Sequence, residues 1–292
     1  MEFISIIIFG GIVFLIWYFC GGSSNQSKRA TDKNNSSTNK LYPDLSNLQK
    51  SKASMQQNSI WNMFGGGGSD YNAILDKFTS LEEVQNAIRQ AGLESCNLIF
   101  GIDFTVSNLH QGRITFGGNS LHAIEPRFMN PYQQVICILG ETLEPFDDDG
   151  IIPAFGFGDA STKDRSVFSF RSQGYCNGFH DVLNAYNELT PNVRLSGPTS
   201  FAPLIRQAID TVKKLNLWPL SIIMVGVGDG PWETMEEFDD RIPARKFDNF
   251  QFVEFHKIMS TARNPQAAFA LHALMEIPDQ YKLVKKHGLL NF

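Results

Sequence analysis

The stretch Asn97-Leu-Ile-Phe-Gly-Ile-Asp103-Phe-Thr105-Val-Ser107-Asn108 decides how this chain is read. Its first half is a short, continuously apolar run bounded by polar residues, the pattern of a strand buried on both faces. Its second half sets one carboxylate and two hydroxyls at alternate positions directly after that strand. Such a set can converge on a hard divalent cation such as Mg²⁺. Comparable apolar runs recur at Ile151 to Gly158, Leu220 to Val227 and Phe250 to Phe255. Helical spacing lies between them, over Tyr132 to Leu143, Gly178 to Glu188 and Phe201 to Leu215. An earlier helix opens on the capping box Ser80-Leu-Glu-Glu83 and stops at Gly92. Strands alternating with helices predict a doubly wound α/β domain with a mostly parallel sheet, whose sites gather at the carboxyl ends of the strands.

A second loop, Ser196-Gly-Pro-Thr199-Ser200, opens the Phe201 helix. Thr199 can add a hydroxyl to the cation set or simply cap that helix. The remaining carboxylates read as turn or solvated residues: Asp147-Asp-Asp149 before Gly150, Asp159 before Ala160-Ser161, and Asp239-Asp240. Four cysteines lie far apart, with no C-x-x-C pair, which excludes zinc ribbons and disulfide scaffolds. Cys137 falls in an apolar helical run and reads as a buried thiol, and the six histidines show no ligand spacing. There is no G-x-S-x-G, H-E-x-x-H or phosphate loop, and no nucleophile–base pair is visible, so the reading is a binding module and not an enzyme. A net charge of −5 offers no basic excess for a nucleic-acid partner.

Phe3 to Cys20, FISIIIFGGIVFLIWYFC, carries no charge. As a helix it would reach roughly 27 Å, enough to cross a hydrocarbon core. Trp17 and Tyr18 suit the interface. Glu2 and the bulky residues near Cys20 argue against a cleaved signal peptide. Residues 3–20 therefore read as a single-pass transmembrane anchor, and Lys28 and Arg29 place the following chain on the cytosolic side of the membrane. Cys20 could be palmitoylated or remain unmodified. Residues 21–68, polar and ending in Gly65 to Gly68, read as a flexible tether. The sequons at Asn25, Asn34 and Asn35 would be used only on a lumenal side. Residues 69–292 form the globular domain.

From about Phe78 onward the chain resembles the copine-type von Willebrand factor A domain. The resemblance rests on Asp103-Phe-Thr-x-Ser-Asn108, Asn130-Pro-Tyr-Gln-Gln-Val135, Gly156-Phe-Gly-Asp159 and Cys176-Asn-Gly-Phe179. It continues through Gly197-Pro-Thr-Ser-Phe-Ala-Pro203, Val225-Gly-Val-Gly-Asp-Gly-Pro-Trp232 and Ala273-Leu-Met-Glu-Ile-Pro278. Particular similarity is to the plant-type RING ubiquitin ligases that carry this domain. The resemblance implies a metal-ion-dependent adhesion site with Asp103, Thr105, Ser107 and Thr199 as ligands. Mg²⁺ is the expected ion, with Mn²⁺ or Ca²⁺ as alternatives. A protein partner would complete its coordination with a carboxylate.

Three departures qualify these expectations. No cysteine follows Cys176, and His256, His272 and His287 alone cannot build a RING within these 292 residues. A role in ubiquitination would then be that of an accessory or substrate-binding protein. The lipid-binding domains of typical copines are missing ahead of the domain, so the anchor would take over membrane attachment. Finally, Val212-Lys-Lys-Leu-Asn-Leu-Trp-Pro219 joins a helix directly to the Leu220 strand, where the family pattern has one further strand–helix unit. The missing strand would pair beside the Asp103 strand and bring another aspartate. Either the metal site is defective, as in a degenerate paralogue, or the Leu220 strand slides into the vacated place and Asp229 supplies the carboxylate.

Overall fold

A computed structural model of the chain describes residues 12–18, 78–93, 95–214, 220–241 and 249–287. Its elements run β1 (Ile12–Tyr18), α1 (Leu81–Gln90), β2 (Asn97–Asp103), α2 (Pro131–Leu143), β3 (Ile151–Ile152), β4 (Ala154–Phe157), β5 (Val167–Ser169), β6 (Cys176–Asn177), α3 (Gly178–Leu189), α4 (Ala202–Lys214), β7 (Leu220–Gly226), α5 (Glu233–Arg241), β8 (Phe250–Glu254), α6 (Phe255–Thr261), α7 (Pro265–Leu274) and α8 (Ile277–Lys286). A six-stranded sheet in the order β5-β4-β2-β1-β7-β8 forms the centre, and β3 and β6 make a separate two-stranded sheet.

All seven residues of β2 are buried. Leu98, Phe100 and Ile102 join a core with Val84 and Ile88 of α1, Val135 and Leu139 of α2, Val182 and Tyr186 of α3, and residues of α6 to α8. Ile99 points to the opposite face, where Leu204, Ala208 and Val212 of α4 and Met235 of α5 pack with Phe155, Phe157 and Phe252. This alternation is what a strand covered on both faces requires. Gly101 lets α4 sit close, because a Cβ there would stand 2.2 Å from Cδ2 of Leu204. The local signals also hold: Ser80 Oγ accepts from Glu83 N, and Gly92 at φ +103 ends the α1 turn. The glutamate half of the capping box shifts by one residue, since Glu83 accepts from Thr79 N at 2.7 Å.

The first correction concerns the N-terminal segment. Ile12–Tyr18 is a strand, not part of a transmembrane helix. It lies between β2 and β7 and pairs antiparallel with both, from Val13↔Ile102 to Tyr18↔Asn97 on one side and from Ile12↔Gly226 to Tyr18↔Leu220 on the other. Among the described residues no helix is long and apolar enough to cross a membrane, so neither the anchor nor the membrane localisation built on it stands. The physical reason is an ambiguity of pattern. A strand buried in the middle of a sheet needs the same unbroken apolar run as a membrane span. Ile-Val-Phe-Leu-Ile-Trp-Tyr is β-branched and aromatic throughout most of its length, which favours the pleated form. The tether 21–68, with its sequons, and Cys20 lie outside the described residues.

The second correction concerns sheet sense. β2 pairs parallel with β4, and β7 with β8, but β1 is antiparallel to both its neighbours and β5 is antiparallel to β4. The fold is therefore a mixed α/β arrangement, not a mostly parallel doubly wound sheet. The third correction follows from the first. β7 does not slide next to β2, because β1 fills the place between them. The place beside β2 is taken by a strand that comes from the N-terminus and runs in the opposite direction.

Candidate functional site

β2 ends at Asp103, and the chain turns at once into a short 3-10 helix, Val106–Leu109. Asp103 is fully buried, and its Oδ1 accepts from Thr105 N at 2.8 Å. Thr105 Oγ1 lies 2.8 Å from Ser107 Oγ, and Thr199 Oγ1 donates to Thr105 Oγ1 at 3.2 Å. Thr199 is brought there by main-chain stitching. Ser196 forms a bridge with Thr105, accepting from Val106 N and donating to Phe104 O. Residues nearly a hundred positions apart in sequence thus meet at the carboxyl end of β2, where an α/β sheet carries its sites.

Gly158 keeps this corner open. At φ +83 it follows β4, and a Cβ there would stand 2.3 Å from Thr105 Cγ2 and 3.5 Å from Asp103 Oδ1. Asp159, next in the chain, accepts from the backbone N–H and hydroxyl groups of both Ser161 and Thr162. These bonds hold its carboxyl below the usual carboxylate range although burial opposes them. Asp159 is the turn residue its sequence context suggests.

Asp229, the fifth expected ligand, is engaged by the loop after the 3-10 helix. One of its oxygens accepts from Ile114 N at 3.0 Å, the other from Thr115 N at 2.9 Å and Thr115 Oγ1 at 2.7 Å. Its own N–H donates to Gln111 O. Asp229 fastens the loop after the 3-10 helix to the end of β7. The strand shift that would have delivered it to Asp103 does not occur, because β1 separates the two strands.

The hydroxyl–carboxylate corner is compatible with a cation. Ligands on adjacent corners of an octahedron with ~2.1 Å bonds lie about 3.0 Å apart. The hydroxyl separations of 2.8 and 3.2 Å bracket that value. All donors are oxygens, as Mg²⁺ prefers. Asp103, Thr105, Ser107 and Thr199 could hold such an ion with one carboxylate among them. Among the described residues there is no cluster of three or more His, Cys, Asp or Glu side chains suited to a metal.

Beneath the corner lies a polar network in which sequence reading saw only separate blocks. The Asp103 carbonyl accepts from Asn108 Nδ2 at 3.1 Å and pairs with His122 Nε2 at 2.8 Å. Tyr132 OH lies 3.2 Å from the same carbonyl and 2.7 Å from Asn108 Oδ1. The His122 ring is stacked between Phe104 and Tyr132, with centroids 4.6 and 4.3 Å away. Its Nδ1 meets Tyr186 OH at 2.8 Å, and Asn130 Nδ2 donates to the same hydroxyl. Burial lowers the His122 pKa to about 4, so the ring is neutral. The signal was present in the Asn108, Asn130 and Tyr132 blocks. His122 itself had none, since nothing local distinguishes a buried positioning histidine from any other.

Two readings of isolated residues also change. Asp239 is no merely solvated carboxylate, because its Oδ1 accepts from Phe252 N at 3.2 Å and ties α5 to β8. Cys137 is only partly buried and lies against Met129 Sδ, with burial raising its thiol pKa.

Comparison with known proteins matches this chain to the family described as Copine, over residues 120–217 and 216–291. The two matched segments meet at residues 216–217. Similar proteins include "Copine family protein 2" of Caenorhabditis elegans, 51% identical over 254 residues, covering 76% of this chain and 3% of that protein. The "E3 ubiquitin-protein ligase RGLG5" of Arabidopsis thaliana is 48% identical over 264 residues, covering 75% of this chain and 61% of that protein. For "E3 ubiquitin-protein ligase RGLG3" of the same plant the figures are 48% over 253 residues, 72% and 69%. The chain therefore spans a very small part of the first relative and roughly two thirds of the other two.

Proposed function

The chain belongs to the copine family, and from that premise we propose that it is a protein-binding module working through the corner formed by Asp103, Thr105, Ser107 and Thr199. These residues would hold a divalent cation, Mg²⁺ by preference, and the cation would take a carboxylate from a partner protein. The observation that carries this reading is the meeting of Thr199 with Thr105 and Ser107 beside the buried Asp103. One carboxylate supplies little charge for a dication, so binding by the chain alone is weak. A partner carboxylate adds the missing negative charge and makes the ion and the partner bind cooperatively. Val106 and Leu109, about half exposed, border the corner and offer apolar contact around such a contact point.

Thermal melting of the whole chain with and without Mg²⁺ tests this. Tm is expected to rise with increasing Mg²⁺, from a stabilisation of about 2.7 kcal/mol at a concentration one hundred times Kd. The rise disappears in Asp103→Ala but persists in Asp229→Ala, relative to each variant's own metal-free melt. An equal response in wild type and Asp103→Ala would reject the site.

A second reading is favoured by the names of the plant relatives. With no cysteine after Cys176, the 292 residues hold no RING. In ubiquitination the chain would act by binding substrates or a ligase, not by transferring ubiquitin. Recovery of a separate ubiquitin ligase with the chain, lost with Asp103→Ala, would support it.

A further inference from the structure

β1 differs from every other strand in how it reaches its place. It is delivered from the N-terminus, ahead of all the other described elements, and occupies the middle of the finished sheet. Its contribution is main-chain pairing along its full length, with six residue pairs to β2 and seven to β7. Without it, β2 and β7 would each present an open edge of unpaired N–H and C=O groups, and two such edges facing across one strand's width form a strand-acceptor slot. The partners of β1 begin at Asn97 and Leu220, so no short turn ties it to either neighbour. Main-chain pairing does not distinguish which molecule supplies the strand, and a second copy carries the same Ile-Val-Phe-Leu-Ile-Trp-Tyr segment.

We propose that the slot between β2 and β7 is a strand-binding site that exchanges β1 with a second copy of the chain, giving a reciprocally strand-swapped dimer. Exchange preserves every pairing of the single-chain fold, which is why swapping an identical element is a low-cost route to dimers. The ligand class is narrow. The slot takes an extended, uncharged segment of about seven residues running antiparallel to β2 and β7, because both edges must be paired at once and the surroundings are apolar. The end of β2 that leads into Asp103 is bordered by this strand, with Val13 opposite Ile102. The occupant of the slot therefore helps to fix the strand that carries the corner.

Two full-length variants test the exchange. One carries Ile16→Cys and the other Ile99→Cys, at positions directly opposite in register. Opposed residues of an antiparallel pair have Cα atoms about 4.5–5.5 Å apart, within disulfide reach. The two chains are unfolded together, refolded at several total concentrations, oxidised, and mapped by peptide mass spectrometry. The proposal expects an inter-chain link between positions 16 and 99 that is absent from either variant alone. At low occupancy the linked fraction rises about tenfold for a tenfold rise in concentration, as mass action requires. A second pair, Tyr18→Cys and Asn97→Cys at the strand end, repeats the test at another register position. The single chain I16C/I99C must link internally if β1 holds this register. Internal linkage without any inter-chain link, at all concentrations and with both pairs, would overturn the exchange. Absence of both kinds of link would overturn the slot itself.

Discussion

His122 holds the main-chain carbonyl of Asp103 at 2.8 Å through Nε2, and this bond fixes the ring's tautomer. A carbonyl only accepts, so Nε2 carries the proton and Nδ1 is left to accept from Tyr186 OH at 2.8 Å. The imidazole thus joins the end of β2 to α3 while sandwiched between Phe104 and Tyr132. It touches no exposed oxygen of the corner, and its role is to set where Asp103 sits.

His122→Leu removes both polar contacts while keeping an apolar body of similar size. It is expected to destabilise the fold by about 1–3 kcal/mol, the cost of leaving buried polar groups unpaired. The Mg²⁺-dependent rise in Tm shrinks with it. Urea denaturation with and without Mg²⁺ reads both effects. An unchanged midpoint would show that the network is dispensable.

Gly158→Ala tests the open corner. Its backbone is at φ +83, and the added Cβ would meet Thr105 Cγ2 at 2.3 Å. Strain and the clash act together, so a loss of more than about 1 kcal/mol follows. Thr105 must also move, which removes the Mg²⁺ response. Gly150→Ala, also at positive φ but with open space around it, serves as the control and is expected to keep that response.

Asp147 supplies a pH prediction. Burial, then repulsion from Asp149, raises its pKa to about 6, with Asp148 and Glu144 adding to the shift. The folded state therefore binds a proton more tightly than the unfolded state, and stability from this group falls as pH rises from about 4 to about 6. Asp147→Asn is expected to be more stable than the wild type at pH 7 and to match it near pH 4. The difference between their urea midpoints, followed across that range, isolates this group from all others. A constant difference would contradict the shift.

Most of the domain was legible because its strands and helices announce themselves locally. β2, β7 and β8, and the helices α1 to α4, lie within a residue or two of where apolar runs and helical spacing put them. The Ile151 to Gly158 run splits at Pro153, which cannot donate to a ladder. Asp103, Thr105, Ser107 and Thr199 meet because each sits where a strand end or helix start must bring it. The failures were those of long-range context. An uncharged run such as Phe3 to Cys20 is consistent with lipid or with a sheet interior, and periodicity cannot choose between them. The choice depends on a gap between β2 and β7, and that gap is visible only when the whole sheet is assembled. The strand shift expected to carry Asp229 failed for the same reason, since it depended on what filled the gap. The role of His122 is not legible locally because it comes from four residues, Asp103, Phe104, Tyr132 and Tyr186, ten or more positions away in sequence.

The fold rests on Ile12–Tyr18 as an internal strand of the sheet. Hydrogen–deuterium exchange of the full chain, read on peptides spanning 12–18 and 97–103, tests it most directly. Amides paired on both sides in the middle of a sheet open only with the domain as a whole. The account predicts that the two peptides exchange equally slowly, and that Leu15→Pro, which removes one central N–H, speeds both together. Complete exchange of the 12–18 peptide within seconds while 97–103 stays protected would contradict it.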